Sequence, residues 1–192
     1  MKTKTINIYS FDELSEKAKE KAQNHFGEHH ADFETDNLED DFTEQLKEDY
    51  PFFINPKFQW SLGYCQGDGL SFSCDYIDLN IYLEKYYPNM KTSVFDALCN
   101  AIYNFKSNGN NGHYCYASKS DIDYEYNYYK EYKHINNLLD KIVDEIREIY
   151  IDICKKFENQ GYEAYSYLYT EEYAKDTCEA NVYEFDEEGN II

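Results

Sequence analysis

Three histidines crowd one short stretch, His25, His29 and His30. The i, i+4 spacing of the first two would bring both imidazoles to one face of a helix, as a shared metal requires. Glu28 and Asp32 stand close enough in sequence to add oxygen ligands. Against this, Gly27 interrupts the helix and the His-Glu-x-x-His order of zinc hydrolases is absent, so exposed histidines between two helices are the plainer reading. Residues 36–41 (DNLEDD) are rich in carboxylates but lack the glycine and the alternating ligand positions of a calcium loop. Cys115 and His113 would share a face of a strand, yet no third group orients the pair for nucleophilic chemistry. Gly67-Asp68-Gly69 lacks the Lys-Ser/Thr and the following helix of a phosphate loop. The six cysteines are scattered with no C-x-x-C pair, which reads as buried free thiols in a reducing compartment. Carboxylate pairs occur everywhere in so acidic a chain and single out no general acid or base. The reading assigns no catalytic residue, no metal and no cofactor, and the protein is expected not to be an enzyme.

The charge itself is the stronger signal. Thirty-eight acidic residues face 18 basic ones over 192 residues, a formal net charge of -20. Such a chain is repelled by phosphate, so direct binding to nucleic acid or to an anionic membrane is not expected. The 22 tyrosines, 12 phenylalanines and single tryptophan are too much aromatic surface for a solvated, disordered tail. No run approaches the apolar length of a membrane span, and the first residues lack the apolar core of a signal peptide, which together read as a bacterial cytoplasm. The charge is unevenly spread. Residues 28–49 and residues 158–192 each hold ten acidic residues against one basic, while 50–157 is nearly balanced. Any function carried by charge therefore lies in those two segments, although charge runs are more often merely solvated faces.

The elements that would position these groups follow from periodicity. Alternation over 3–9 predicts a strand, and Ser10 with Glu13 forms a capping box, with Ser15 as a rival helix start. The helix should run to about Phe26 and stop at Gly27, and a second should cover 32–49 with Phe33, Leu38, Phe42, Leu46 and Tyr50 as its approximate apolar stripe, ended by Pro51. Residues 57–64 and 70–77 alternate as a hairpin. A three-residue loop, Gly67-Asp68-Gly69, would pair Tyr64 with Phe72, Leu62 with Cys74 and Trp60 with Tyr76, building one apolar face. A short helix is expected over 78–87, and one from Ser93 through Leu98, Ile102 and Phe105. Strands are expected over 113–118 and 122–128, and a long helix over 132–160 stopped by Gly161. A last helix is expected over 162–175 and a strand over 180–185. The fold class is α+β, an antiparallel sheet of about four to six strands packed against helices. One domain, 1–192, is expected, with 1–50 as a helical N-terminal lobe.

Tyrosine is concentrated at Tyr124, Tyr126, Tyr128, Tyr129 and Tyr132 and again at Tyr162, Tyr165, Tyr167, Tyr169 and Tyr173, which suits a protein interface or simply an AT-rich genome. Residues 11–22 (FDELSEKAKEKA) resemble the opening of many small phage and prophage proteins of low-GC bacteria, and residues 61–72 (SLGYCQGDGLSF) and 180–189 (ANVYEFDEEG) resemble later segments of the same group. The resemblance implies an accessory phage function such as counter-defence. Small acidic phage proteins of this kind include anti-CRISPR proteins, which bind a CRISPR nuclease and block its DNA. No functional residue carries over. The expectation is an inhibitor whose carboxylates imitate phosphates in the basic nucleic-acid channel of a CRISPR effector nuclease, through Asp36, Glu39, Asp40, Asp41, Glu44 and Glu48, then Glu171, Glu172, Asp176 and Glu179. The alternatives are an antitoxin or phage regulatory adaptor bound to another basic protein, and an enzyme acting on a nucleotide or signalling molecule.

Overall fold

The computed structural model describes residues 6–109, 115, 117, 122–127 and 133–192. Two compact units are formed: Met1–Leu38 with Gly161–Ile192, and Glu39–Gln160. Two long helices, α1 (Glu16–Asp49) and α4 (Lys133–Tyr167), each continue from one unit into the other.

In the first unit both N-terminal signals are used. The Ser10 amide and hydroxyl donate to the Glu13 carboxylate at 2.8 and 2.9 Å, closing a 3-10 turn, Phe11–Glu13, and Ser15 Oγ then accepts from the Ala18 amide at 3.3 Å to start α1. Ala18, Ala22 and Phe26 of α1 are buried against Phe11, Leu14 and Phe185 and against Ala174 and Cys178 of α5 (Glu171–Asn181). The helix does not stop at Gly27. A Cβ there would lie 2.4 Å from Cε1 of Tyr169, so the glycine admits a tyrosine ring against the helix backbone rather than ending the helix. Gly161 likewise lies inside α4, and the expected last helix is replaced by the C-terminal turns of α4 and by α5. The expected strand over 180–185 shrinks to single bridges: Phe185 pairs with Tyr9 and with Ile191, while Ala180 and Asn181 end α5. Gly189, at φ +81°, lets that final turn approach the backbone of α1, since a Cβ would lie 2.4 Å from the Ala18 oxygen. Of the expected N-terminal strand, Thr3 and Thr5 lie outside the described residues.

The second unit holds the strands, and among the described residues the single broad sheet expected from sequence is absent. Instead there are three two-stranded antiparallel sheets: β1 (Phe53–Ile54) with β4 (Tyr76–Ile77), β2 (Lys57–Ser61) with β3 (Gly69–Ser73), and β5 (Ile102–Ser107) with β6 (Ile122–Tyr126). Side chains block the extension. At Phe72, the Tyr150 hydroxyl of α4 accepts from the amide at 3.0 Å and donates to the carbonyl at 2.8 Å, and Ser107 Oγ donates to the same carbonyl at 2.7 Å, where a third strand would bond. The β2–β3 hairpin exists in a different register, Phe58 opposite Phe72 and Trp60 opposite Leu70. Its connection is a longer loop built on Asp68, which accepts from Ser61 Oγ at 2.8 Å and from the Cys65 amide at 2.7 Å. The face stays apolar because Phe58 replaces Tyr64, which is left exposed.

Helix α2 (Leu79–Tyr86) is capped by Asp78, whose carboxylate accepts from the amides of Asn80 and Ile81. Helix α3 (Thr92–Ala101) ends earlier than expected, because Ile102 and Phe105 are drawn into β5 by pairing with β6. The core gathers Phe42 and Leu46 of α1, Phe52, Phe72, Tyr82, and Tyr150 and Phe157 of α4. Phe42 stacks on Phe157 with ring centroids 4.5 Å apart. In the expected strands over 113–118 and 122–128, residues 113, 114, 116, 118 and 128 lie outside the described residues. Cys115 is not in a strand; its amide donates to the Gly67 carbonyl at 3.1 Å. Among the described residues no helix is long and apolar enough to cross a membrane.

Candidate functional site

Helix geometry decides what the acidic segments can offer. In the second unit, Phe42 and Leu46 of α1 are buried, and at about 100° per residue Asp40 and Glu44 project from the opposite side, with Glu48 beside them. Glu39 and Asp41 occupy the flanks. All five are exposed, and none makes an ion pair or hydrogen bond with any described residue. From Glu39 to Glu48 the helix rises roughly 13 Å. Their successive rises along the axis are about 1.5, 1.5, 4.5 and 6 Å, so three carboxylates crowd one turn and two follow singly. Lys47 is the single cation on this stretch and lies on the same exposed side. Asp36, on the portion of α1 in the first unit, is also exposed and makes no ion pair or hydrogen bond with any described residue.

The other expected residues belong to α5 of the first unit. Glu171, Glu172, Asp176 and Glu179 are all exposed, but part of this set serves the fold. Lys19 pairs with Glu171 at 3.1 Å, and Glu171 and Glu172 occupy the first turn of α5, where the helix dipole favours negative charge. Lys175 sits between Glu171 and Glu179 and bonds Asp12 at 3.0 Å. Its ammonium pKa is held above the usual lysine value by that bond and by the carboxylates of Asp12, Glu179 and Glu171. The ten expected residues are thus divided between the two units, and the bare ones are chiefly those of α1.

The histidines lie on α1 with other partners. His29 Nδ1 is 2.8 Å from the His25 carbonyl oxygen, and His30 Nδ1 is 2.6 Å from the Tyr173 hydroxyl. Partial burial and then the neighbours His29 and His30 keep the His25 imidazole pKa low, with Glu28 pulling the other way. Among the described residues no group of three or more His, Cys, Asp or Glu side chains is placed to hold a metal ion. Burial pushes the Cys74, Cys99 and Cys178 thiols up to about 11 and Cys154 up to about 12, and raises Cys115 as well, which leaves these five unactivated. His113 lies outside the described residues.

Of the first tyrosine group, Tyr124 and Tyr126 stack at 5.9 Å, and Tyr128, Tyr129 and Tyr132 lie outside the described residues. The second group converges on histidine-bearing α1. Tyr165 Oη is 2.6 Å from Thr35 Oγ1, Tyr169 covers Gly27, and Tyr167 and Tyr173 meet edge to face with centroids 5.5 Å apart. Sequence reasoning treated His30 and these tyrosines as separate clusters, because 143 positions separate His30 from its partner Tyr173. It also missed Glu145, which accepts from Tyr87 at 2.6 Å and Tyr82 at 3.1 Å and pairs with Lys141. Burial there raises the carboxyl pKa, but the hydrogen bonds from Tyr87, Lys141 and Tyr82 outweigh it and hold Glu145 below the usual range. With its donors already spoken for, Glu145 ties α2 to α4. No family model, no curated protein and no solved structure matches the chain.

Proposed function

We propose that this chain is a non-enzymatic inhibitor that occupies the basic nucleic-acid groove of a partner protein with the carboxylates of α1. In its narrower form, which the resemblance over 11–22, 61–72 and 180–189 favours, the chain is phage-encoded and the partner is a CRISPR effector nuclease. The observation that carries the reading is the cluster Glu39, Asp40, Asp41, Glu44 and Glu48: five carboxylates within roughly 13 Å of helix, exposed and bare of ion pairs among the described residues. Carboxylates with no internal partner contribute nothing specific to the fold, yet they set up a strong local field that attracts a positively charged groove. Glu171 and Glu179, being shared with Lys19 and Lys175, contribute less.

The test is capture of host proteins on the tagged chain. A nucleic-acid-handling protein should be retained at about 0.05 M salt and released at about 0.5 M, as the screening length contracts. The nuclease activity of the retained protein should fall when the chain is added. The quadruple variant E39Q/D40N/D41N/E44Q keeps side-chain size and should fold normally. An exposed charge pair is worth about 0.2–1 kcal/mol, so losing four should weaken binding roughly fourfold or more. Undiminished binding by that variant sinks the carboxylate row as the site.

A further inference from the structure

The corner between α4 and α5 in the first unit holds an open cavity of about 500 Å3, lined by His30, Tyr167, Tyr173, Asp176, Thr177 and Asn181 among others. Thr170 builds the corner: its hydroxyl donates to the Tyr167 carbonyl at 2.7 Å and accepts from the Tyr173 amide at 3.2 Å, so one side chain fixes the backbone of both tyrosines. The Tyr167 and Tyr173 rings meet at 72°, and the His30 ring stands at 82° to Tyr173, pinned by the bond to its hydroxyl. Three rings thus form the partial walls of a cage. Tyr167 is 42% exposed, which leaves much of its ring open to the cavity and solvent.

The polar groups decide what such a cage accepts. Among the described residues no lysine or arginine lines the cavity, so a phosphate or carboxylate ligand would meet Asp176 with neither to hold it. Asp176 makes no ion pair or hydrogen bond with any described residue. The surroundings are negative in another respect: partial desolvation and then the Glu172 and Asp176 carboxylates hold the Tyr167 phenol pKa above its usual value. Ring faces of negative potential beside a free carboxylate suit a cation. A guanidinium suits them better than an ammonium, because its plane stacks on a ring while its fork of donors meets a carboxylate.

We infer that this cavity receives an arginine side chain of the basic partner, stacked on Tyr167 and bonded to Asp176. The identity of the donor as a partner residue rests on the reading above; the arginine selectivity of the cavity does not. The probe is Nα-acetyl-arginine methylamide, titrated into the intact chain while the ring resonances of Tyr167 and Tyr173 are followed by NMR, with the citrulline counterpart as the neutral isostere. The arginine probe should give saturable shifts in the millimolar range and the citrulline probe should not. Asp176→Asn should weaken binding about two- to fivefold, Tyr167→Leu should abolish the response of the Tyr173 ring, and Glu148→Gln, exposed on α4 in the other unit, should change nothing. Equal shifts from both probes, no saturation, or indifference to the Asp176 and Tyr167 variants would overturn the inference. Because no partner protein takes part, failure here leaves the carboxylate row standing, and failure of the row leaves this result readable.

Discussion

Glu44 and Glu171 carry the same charge and are both exposed, yet only Glu44 is uncommitted, since Glu171 lies 3.1 Å from Lys19. An exposed acidic residue offers a partner its full field only when no internal cation shares it. The cysteines show the opposite condition, groups whose chemistry is suppressed by burial. Cys154 is fully buried on α4, and burial pushes its thiol up from 9.0 to about 12, partly offset by hydrogen bonding to Tyr150 and the Phe72 backbone. A thiol whose folded pKa lies above its unfolded value stabilises the fold fully below the unfolded value. That stability is lost as pH rises from about 9 towards 12, because the unfolded chain releases a proton that the folded chain retains. Each such proton steepens the fall by about 1.4 kcal/mol per pH unit. Urea unfolding between about pH 8 and about pH 10 should therefore show a decline for the parent chain, and Cys154→Ala, though less stable throughout, should show a shallower one by up to one proton. Parallel declines would mean that the thiol titrates normally and is not buried.

At the scale of elements, the continuity of α1 is the feature least legible from sequence. Over its 34 residues Gly27 looks like a terminus, and only the Tyr169 ring, 142 positions away, explains its presence mid-helix. Glycine costs a helix interior about 1 kcal/mol relative to alanine, so Gly27→Ala should gain that amount where nothing obstructs the new methyl. In the parent chain the ring must move aside and lose its packing, offsetting the gain. In a Tyr169→Ala background the methyl enters open space and the full gain of about 1 kcal/mol should appear. The four thermal or urea midpoints of the cycle should give a coupling of about 0.5–2 kcal/mol, and equal gains in both backgrounds would show that the ring does not constrain the site. What the sequence does display is the content of single faces: the capping box at Ser10, the Asp78 helix and the acidic side of α1 all follow from local spacing. The hairpin register does not, because the loop geometry depends on Asp68 reaching Ser61 and Cys65. Nor do the sheet limits, because the Tyr150 hydroxyl that closes the edge at Phe72 comes from 78 residues downstream. The candidate site divides the same way, its exposed carboxylates visible in the composition and its ion pairs and the His30–Tyr173 contact visible only in three dimensions.

For the molecule as a whole, a net charge of -20 gives any basic partner a long-range attraction and gives the chain a self-repulsion that its packing must outweigh. These two consequences have opposite signs at one position. Lys47 is the sole basic residue among ten acidic ones in residues 28–49, and it lies on the same exposed side of α1 as Asp40 and Glu44. It sits in the last turn of the helix, where a cation is favoured by the dipole, so reversing it should cost about 0.3–1 kcal/mol of stability. Glu44, three residues earlier on the same face, adds a like-charge penalty of about 0.2–0.5 kcal/mol. For a partner that reads the carboxylates, however, Lys47 is a countercharge on the exposed side of α1, and Lys47→Glu removes it. The variant should therefore unfold at lower temperature while binding the captured partner faster and more tightly at about 0.05 M salt, with a steeper loss of affinity as salt rises. If α1 is only a solvated face, the same variant loses stability and gains nothing in binding. Stability and affinity moving in opposite directions from one substitution separates an interface from a bystander, because a residue that merely supports the fold moves both the same way.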